Sequence, residues 1–242
     1  ALVGVLFGLP SLRIKGFYLV VATLAAQFFL EWCFIRIGWL YNYNPSGAIE
    51  VPQREAFGLI ITGAQSNPLT RYFVVLLMLI FLTWIAGNII RGRIGRSWMM
   101  IRDMDIAAEL IGVQPLKAKL SAFAVSSYYC GVAGALMVFL WLGAAEVESF
   151  DINHSFLYLF MVILGGAGSI TGSYMGAAFI WTFPLILKEI GKQFGANPTV
   201  LENISLVAIG AMIIFILIKE PHGIARLWQI GKQKLRIWPF PH

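Results

Sequence analysis

Long apolar runs alternate with short polar stretches along the whole chain. A helix crossing a bilayer core needs about twenty predominantly apolar residues, and several runs approach that length. A further apolar run precedes them, from Ala1 to Pro10, and because it starts without a Met we expect additional spans before it. The pattern predicts an all-α, polytopic transmembrane helix bundle with at least six spans plus a partial N-terminal one. The six predicted spans cover residues 16–34, 72–90, 120–142, 156–164, 173–190 and 201–218.

One long polar segment, residues 91–119, separates two of these runs. It holds six of the eighteen Lys and Arg residues, and such a basic loop is expected to face the cytoplasm. Its middle fits a short amphipathic helix, which implies either a binding partner or a charged hairpin that only fixes topology. The apolar side would carry Trp98, Ile101, Ile106, Leu110 and Ile111, and the solvated side Arg102, Asp103 and Glu109.

Composition and charge agree with a membrane protein. The chain is 59% hydrophobic and only 12% charged, with a mean hydropathy of +0.77. The net charge of +6 does not indicate a nucleic-acid partner, because the cations cluster in loops between apolar runs. The predicted topology puts thirteen of the eighteen cations in the cytoplasm, including those of a basic C-terminal tail, residues 219–242.

Three polar residues lie within the first predicted span at intervals of four, so they share one helix face: Thr23, Gln27 and Glu31. Polar groups at membrane depth usually face protein or a water-filled path, which makes these residues candidates for a translocation pathway. The alternative is structural. Gln27 would then join two helices by a hydrogen bond, and Glu31 would lie at the membrane interface.

Five glycines cluster after the fourth predicted span: Gly165, Gly166, Gly168, Gly172 and Gly176. A phosphate-binding loop also needs a Lys followed by Ser or Thr after its glycines, and this stretch has no Lys, so it does not predict a nucleotide site. Closely spaced glycines instead favour a tight turn between two closely packed helices, here expected at the cytoplasmic side.

Residues suited to metal binding or catalysis are scattered. Cys33 and Cys130 lie in apolar runs without a CxxC or His-spaced pattern, and the three histidines lie at span edges or in the tail. An acidic outer loop containing Glu146, Glu148 and Asp151 has no matched base and is typical of a solvated surface. We therefore predict no catalytic residue and no metal site.

Interfacial aromatics and turn residues between positions 36 and 71 predict an external loop. Within it, the apolar stretch 57–62 is compatible with a short re-entrant or interfacial helix.

Three stretches together resemble one protein family. They are LRIKGFYLVVATLA at 12–25, GRSWMMIRDMDIAAELIGVQPLKAKLSAFAVSSYYCGVAGAL at 95–136 and ILGGAGSITGSYMGAAF at 163–179. In this order and at these separations they resemble the permease subunits of bacterial ABC importers of the high-affinity branched-chain amino acid type, the LivM-like branch that includes urea and amide systems. The resemblance implies a single transmembrane permease domain over residues 1–242 in the bacterial inner membrane, with a cytoplasmic C-terminus.

The resemblance also implies partners: a second related permease subunit, two cytoplasmic ATPase subunits and a periplasmic substrate-binding protein. ATP and Mg would be bound by the ATPases, so this chain would bind no cofactor and would not be an enzyme. In such permeases a cytoplasmic coupling helix docks on the ATPase. Here Ala107, Ala108 and Gly112 match the Ala-Ala and Gly of its motif, whereas Ile106 stands where the motif has Glu. The nearest acids are Asp105 and Glu109, which with Arg102 and Asp103 would offer ion pairs at the rim of the contact.

Branched-chain amino acids are the first expectation for the substrate, with urea, amides and aromatic acids as alternatives. A secondary transporter or channel without an ATPase is the competing class. It would more often show paired intramembrane charges or matched broken helices, and neither pattern is evident in the sequence.

Overall fold

The structure, a computed structural model, describes residues 1–13, 17–41, 43–44, 47–56, 58–63, 66–193, 198–219 and 223–237. Most of them are helical, as expected for membrane helices whose backbone groups must be satisfied internally. By their internal contacts the residues divide into two compact units, Ala1–Phe150 and Asp151–His242.

Small residues bring the first helix of unit 1 close to the last. Gly4 faces Ser127, and a Cβ at Gly4 would lie 2.0 Å from Ser127 Oγ. Gly8, one turn further along, is buried against Leu120 and Phe123. Such four-residue spacing of glycines lets helix backbones approach closely in lipid. The helices of this unit are α1 (Leu2–Arg13), α2 (Phe17–Arg36), α3 (Pro68–Arg91), α4 (Arg93–Asp103), α5 (Asp105–Leu110) and α6 (Pro115–Met137), the last continued by a π-helical turn over Val138–Leu142.

Two antiparallel strand pairs order the loop between α2 and α3. Strand β1 (Ile49–Glu50) pairs with β4 (Ala144–Ala145), which joins the loop to the end of the π-helical turn. Strands β2 (Glu55–Ala56) and β3 (Leu59–Ile60) form a hairpin. The buried Thr62 hydroxyl accepts a hydrogen bond from Arg54 N–H at 2.7 Å and donates one to Pro52 O at 2.9 Å, which holds the returning strand in place.

The expected short helix over residues 57–62 is therefore wrong. Leu59 and Ile60 belong to β3, and Gly58, at a φ of +75°, allows the chain to reverse between β2 and β3. Phe57 lies outside the described residues.

Unit 2 contains α7 (Ile152–Gly165), α8 (Ile170–Gln193), α9 (Pro198–Lys219) and α10 (Ile224–Ile237). Asp151 was expected on a solvated loop, but its carboxylate accepts a hydrogen bond from Ile152 N–H at 2.6 Å and caps α7. Pro184 lies inside α8, and the end of α8 contacts α9 where Gly191 meets Leu201.

The five clustered glycines lie at the turn from α7 to α8. Gly166 and Gly168 have φ values of 113° and 106°, in a region that L side chains rarely adopt. Gly165 and Gly176 bring the two backbones together, since a Cβ at Gly176 would lie 1.9 Å from Met161 O and one at Gly165 would lie 2.0 Å from Gly172 O. The turn and the close packing of α7 on α8 therefore depend on the absence of side chains at these positions.

The predicted spans can be compared with these helices. Each of the six falls on one helix: α2, α3, α6, α7, α8 and α9, although residue 16 lies outside the described part. Among the described residues, four helical segments are long and apolar enough to cross a membrane: Pro68–Arg91, Pro115–Leu142, Val147–Gly165 and Ile170–Gln193. The all-α, multi-pass class is confirmed, and the count of six spans stays a prediction.

Substituting Gly176→Ala should destabilise unit 2, because the new methyl group would overlap Met161 O. Forcing an extra methyl into close packing typically costs about 1–3 kcal/mol. Gly210→Ala is the matched control, since a Cβ at Gly210 of α9 meets nothing within 4 Å. Thermal unfolding of the detergent-purified chain should show a lower midpoint temperature for Gly176→Ala and an unchanged one for Gly210→Ala. Equal midpoints for the two variants would contradict the packing described for α7 and α8.

Candidate functional site

The polar segment 91–119 folds as two helices rather than one. Helix α4 ends at Asp103, Met104 is extended with φ −152° and ψ 91°, and α5 then begins at Asp105. This break changes the phase of the helical pattern. The apolar residues expected on one side therefore separate, because Ile101 of α4 is buried whereas Ile106, Leu110 and Ile111 are exposed. The prediction of a single amphipathic helix is wrong in this respect.

Helix α4 is held against the ends of two long helices. Trp98 Nε1 donates a hydrogen bond to Ser121 Oγ of α6 at 2.9 Å, and that hydroxyl donates to Ala118 O at 2.8 Å. At the other end, Gly95 is buried against α3, where a Cβ would lie 2.4 Å from Ile90 O. A side-chain hydrogen bond and close backbone packing thus attach α4 to both α6 and α3.

Helix α5 is short and sharply terminated. Gly112 has a φ of +89°, its N–H donates to Glu109 O, and Val113 N–H donates to Ala108 O, each at 3.0 Å. These two bonds form the Schellman arrangement that satisfies carbonyls at a helix end. Gly112 therefore sets where α5 stops.

The two alanines of α5 have different environments. Ala107 is exposed, whereas Ala108 is only 2% exposed and packs within its own chain. Both match the motif of a helix that, in the resembling permeases, docks on a partner. Only Ala107 is available for such contact, because Ala108 is buried where α5 packs on the rest of unit 1.

An apolar patch covers the outer side of this short helix. We call it the docking patch, and it consists of Met104, Ile106, Leu110 and Ile111, whose exposed fractions are 71%, 74%, 84% and 70%. Contiguous apolar side chains rimmed by polar ones mark interaction sites on protein surfaces. The sequence pattern placed Ile106, Leu110 and Ile111 on the same helix side as Ile101, and the signal it lacked was the break at Met104.

Charged residues surround the docking patch. Arg102 Nε and Asp103 Oδ1 form an exposed ion pair at 2.9 Å. This hydrogen bond and the carboxylate charge raise the pKa of Arg102. Asp105 and Glu109 are exposed on α5 itself, and the Asp105 carboxylate accepts a hydrogen bond from Ile106 N–H at 2.9 Å. A rim of this kind suits contact with a hydrated protein surface better than insertion into lipid.

The proposed pathway residues lie on α2, apart from this patch in sequence. Thr23 is exposed, and its hydroxyl donates to Val20 O at 2.9 Å within its own helix. Gln27 and Glu31 are half-buried on the same face. Their role in a pathway stays a prediction.

Within the described part of the chain, no three His, Cys, Asp or Glu side chains are grouped closely enough to hold a metal ion. Cys33 and Cys130 are free thiols.

Several helices of this length and hydropathy define a multi-pass membrane protein. The chain belongs to the family described as the permease component of branched-chain amino acid transport systems, whose sequence profile matches residues 1–217. It is 28% identical to the high-affinity branched-chain amino acid transport system permease protein LivM of Salmonella typhimurium and, equally, to that of Escherichia coli. Each match covers 93% of this chain and 54% of the relative, so the chain spans about half the length of the curated relatives it matches. No solved structure gives a significant match.

Proposed function

We propose that this chain is part of the transmembrane subunit of an ATP-driven importer that moves a branched-chain amino acid into the cytoplasm. The observation that carries the proposal is the docking patch, four exposed apolar side chains on a segment fixed to two long helices of a transport permease. The patch would bind a cytoplasmic ATPase subunit, which would hold ATP and Mg. This chain would bind no cofactor.

The chemistry of the patch favours a protein partner. Burying a Leu or Ile side chain contributes about 1.5–3 kcal/mol, so Ile106, Leu110 and Ile111 could supply a binding hot spot. Arg102, Asp103, Asp105 and Glu109 would remain at the solvated rim and select the orientation of the partner. Ala107, exposed beside them, would allow close approach.

The attachment of α4 supports a mechanical role for this segment. A displacement at α5 would be carried through α4, because Gly95 of α4 packs on the end of α3 and Trp98 of α4 is hydrogen-bonded to Ser121 of α6. Packed elements joined in this way move as rigid bodies rather than deforming continuously. ATP binding and hydrolysis on the partner would thereby shift unit 1 between outward-open and inward-open states.

The rest of the assembly follows from the same proposal. A second related permease subunit would complete the translocation path, two ATPase subunits would bind from the cytoplasm, and a periplasmic binding protein would deliver the solute. The predicted excess of cations in segment 91–119 and the C-terminal tail supports a cytoplasmic location for both. The chain would lie in the bacterial inner membrane as one permease domain and would bind no nucleic acid.

Leu110→Asp should release the ATPase, because it puts a charge at the most exposed apolar position of the docking patch. We expect at least about a tenfold loss of co-purifying ATPase from detergent-solubilised membranes, which corresponds to the burial of one such side chain. Leu110→Met should retain binding. Leu116→Asp is the matched control, since Leu116 is also exposed but lies in the first turn of α6, outside the patch.

Two results would contradict the proposal. One is full ATPase retention by Leu110→Asp. The other is recovery of no ATPase with the unsubstituted full-length protein, which would favour a secondary transporter or channel.

Substrate and pathway can be tested together in proteoliposomes that contain the assembled complex. We expect ATP-dependent uptake of labelled leucine that isoleucine and valine inhibit and urea does not. Gln27→Leu, in a complex that assembles normally, should lower uptake because it removes a polar group from the candidate path. Inhibition by urea, amides or aromatic acids instead would assign a different substrate class. Unchanged uptake by the Gln27→Leu variant would show that Gln27 is not part of the path.

A further inference from the structure

The last described helix, α10, has a narrow apolar stripe. At 100° per residue, Ile224, Leu227, Trp228 and Leu235 fall within an arc of about 100°, and Gly231 lies inside it. Gln229 and Gln233 lie on the opposite side of the helix. This is the pattern of an amphipathic helix at a boundary between an apolar and an aqueous phase.

Beyond the half-buried Ile224, the stripe is not used for packing within unit 2. Leu227, Trp228 and Leu235 are 47%, 66% and 78% exposed. The helix is attached through a different side, where Ala225 is 7% exposed and its Cβ would lie 3.0 Å from a Cβ built at Gly172 of α8. Attachment through Ala225 leaves the apolar stripe available to another phase or partner.

The charges of α10 have one sign. The helix contains no Asp or Glu, and its four cations are Arg226, Lys232, Lys234 and Arg236. Lys232 and Lys234 flank the apolar stripe, one on each side, at about 80° from its centre. Lysines so placed can extend their amino groups toward phosphates while their methylene stems cover apolar surface.

The position of α10 puts it at the end of the membrane helices. Gly223, just before α10, packs on the end of α7, where a Cβ would lie 2.5 Å from Gly166 N and 2.8 Å from Leu164 O. The segment Val147–Gly165 that ends here has the length and hydropathy of a membrane span. The first turn of α10 is therefore level with the end of a span, where headgroups begin.

We propose that α10 lies in the plane of the membrane surface and binds anionic phospholipid. The stripe of Leu227, Trp228 and Leu235 enters the acyl boundary, and Lys232 and Lys234 pair with lipid phosphates. Trp is enriched at this depth of a bilayer, which agrees with the exposed Trp228 at one edge of the stripe. The inference goes beyond transport and requires only that the chain is a multi-pass membrane protein.

The test places a nitroxide label at Leu235→Cys or Gln233→Cys in the full-length protein, after Cys33→Ser and Cys130→Ser. The protein is reconstituted in phosphatidylcholine vesicles with and without about one third phosphatidylglycerol. Power-saturation spectroscopy then compares access of oxygen, which partitions into lipid, with access of a water-soluble nickel complex. With phosphatidylglycerol, we expect the oxygen-to-nickel ratio at position 235 to exceed that at 233 by at least about threefold.

Charge removal provides the second arm. Lys232→Gln with Lys234→Gln should lower the equilibrium constant for immersion in the anionic vesicles by about thirtyfold, whereas Lys232→Arg with Lys234→Arg should preserve it. Equal nickel access at 233 and 235 in both vesicles would overturn the proposal. Two further results would also overturn it, because they would assign the stripe to a protein partner. One is that the label at position 235 is shielded from the nickel complex only after ATPase is added. The other is dipolar broadening between the labels of two copies of the chain.

Discussion

The hydrogen bond from Trp98 to Ser121, with the burial of Ile101 and Gly95 beside it, is the constraint on which the candidate site depends. Without it, α4 and α5 would be a charged loop whose movements need not reach the long helices. With it, the docking patch has a fixed position relative to α3 and α6. Because closely packed elements shift as units, a displacement of the docking patch would be passed to both long helices.

Unit 2 is built on a different constraint, the close approach of helix backbones. Gly165, Gly172 and Gly176 bring α7 and α8 together, and Gly223 lets the chain that follows α9 pack on the end of α7. In lipid, close packing replaces the hydrophobic drive that would hold helices together in water. The same packing fixes where α10 begins, next to the end of the apolar segment Val147–Gly165.

The sequence predicted the long elements well, because membrane length and hydropathy are local properties. The span expected over 72–90 is α3, and the turn expected at the clustered glycines lies between α7 and α8. It did not predict the pairing of Ile49–Glu50 with Ala144–Ala145, since that contact joins segments far apart in the chain. It also missed the extended Met104, because Met favours helices and carries no breaking signal. The break at that single residue separates the exposed Ile106 and Leu110 from the buried Ile101, with which they were expected to share a side.

The most direct test of the central claim is thiol labelling of single cysteines at positions 108 and 110, after Cys33→Ser and Cys130→Ser, with and without bound ATPase. In the free chain, Leu110→Cys should react rapidly with a water-soluble maleimide and Ala108→Cys should not. Addition of the ATPase should protect position 110. Equal labelling of position 110 in the free and ATPase-bound states would contradict the assignment of this surface as the site of coupling.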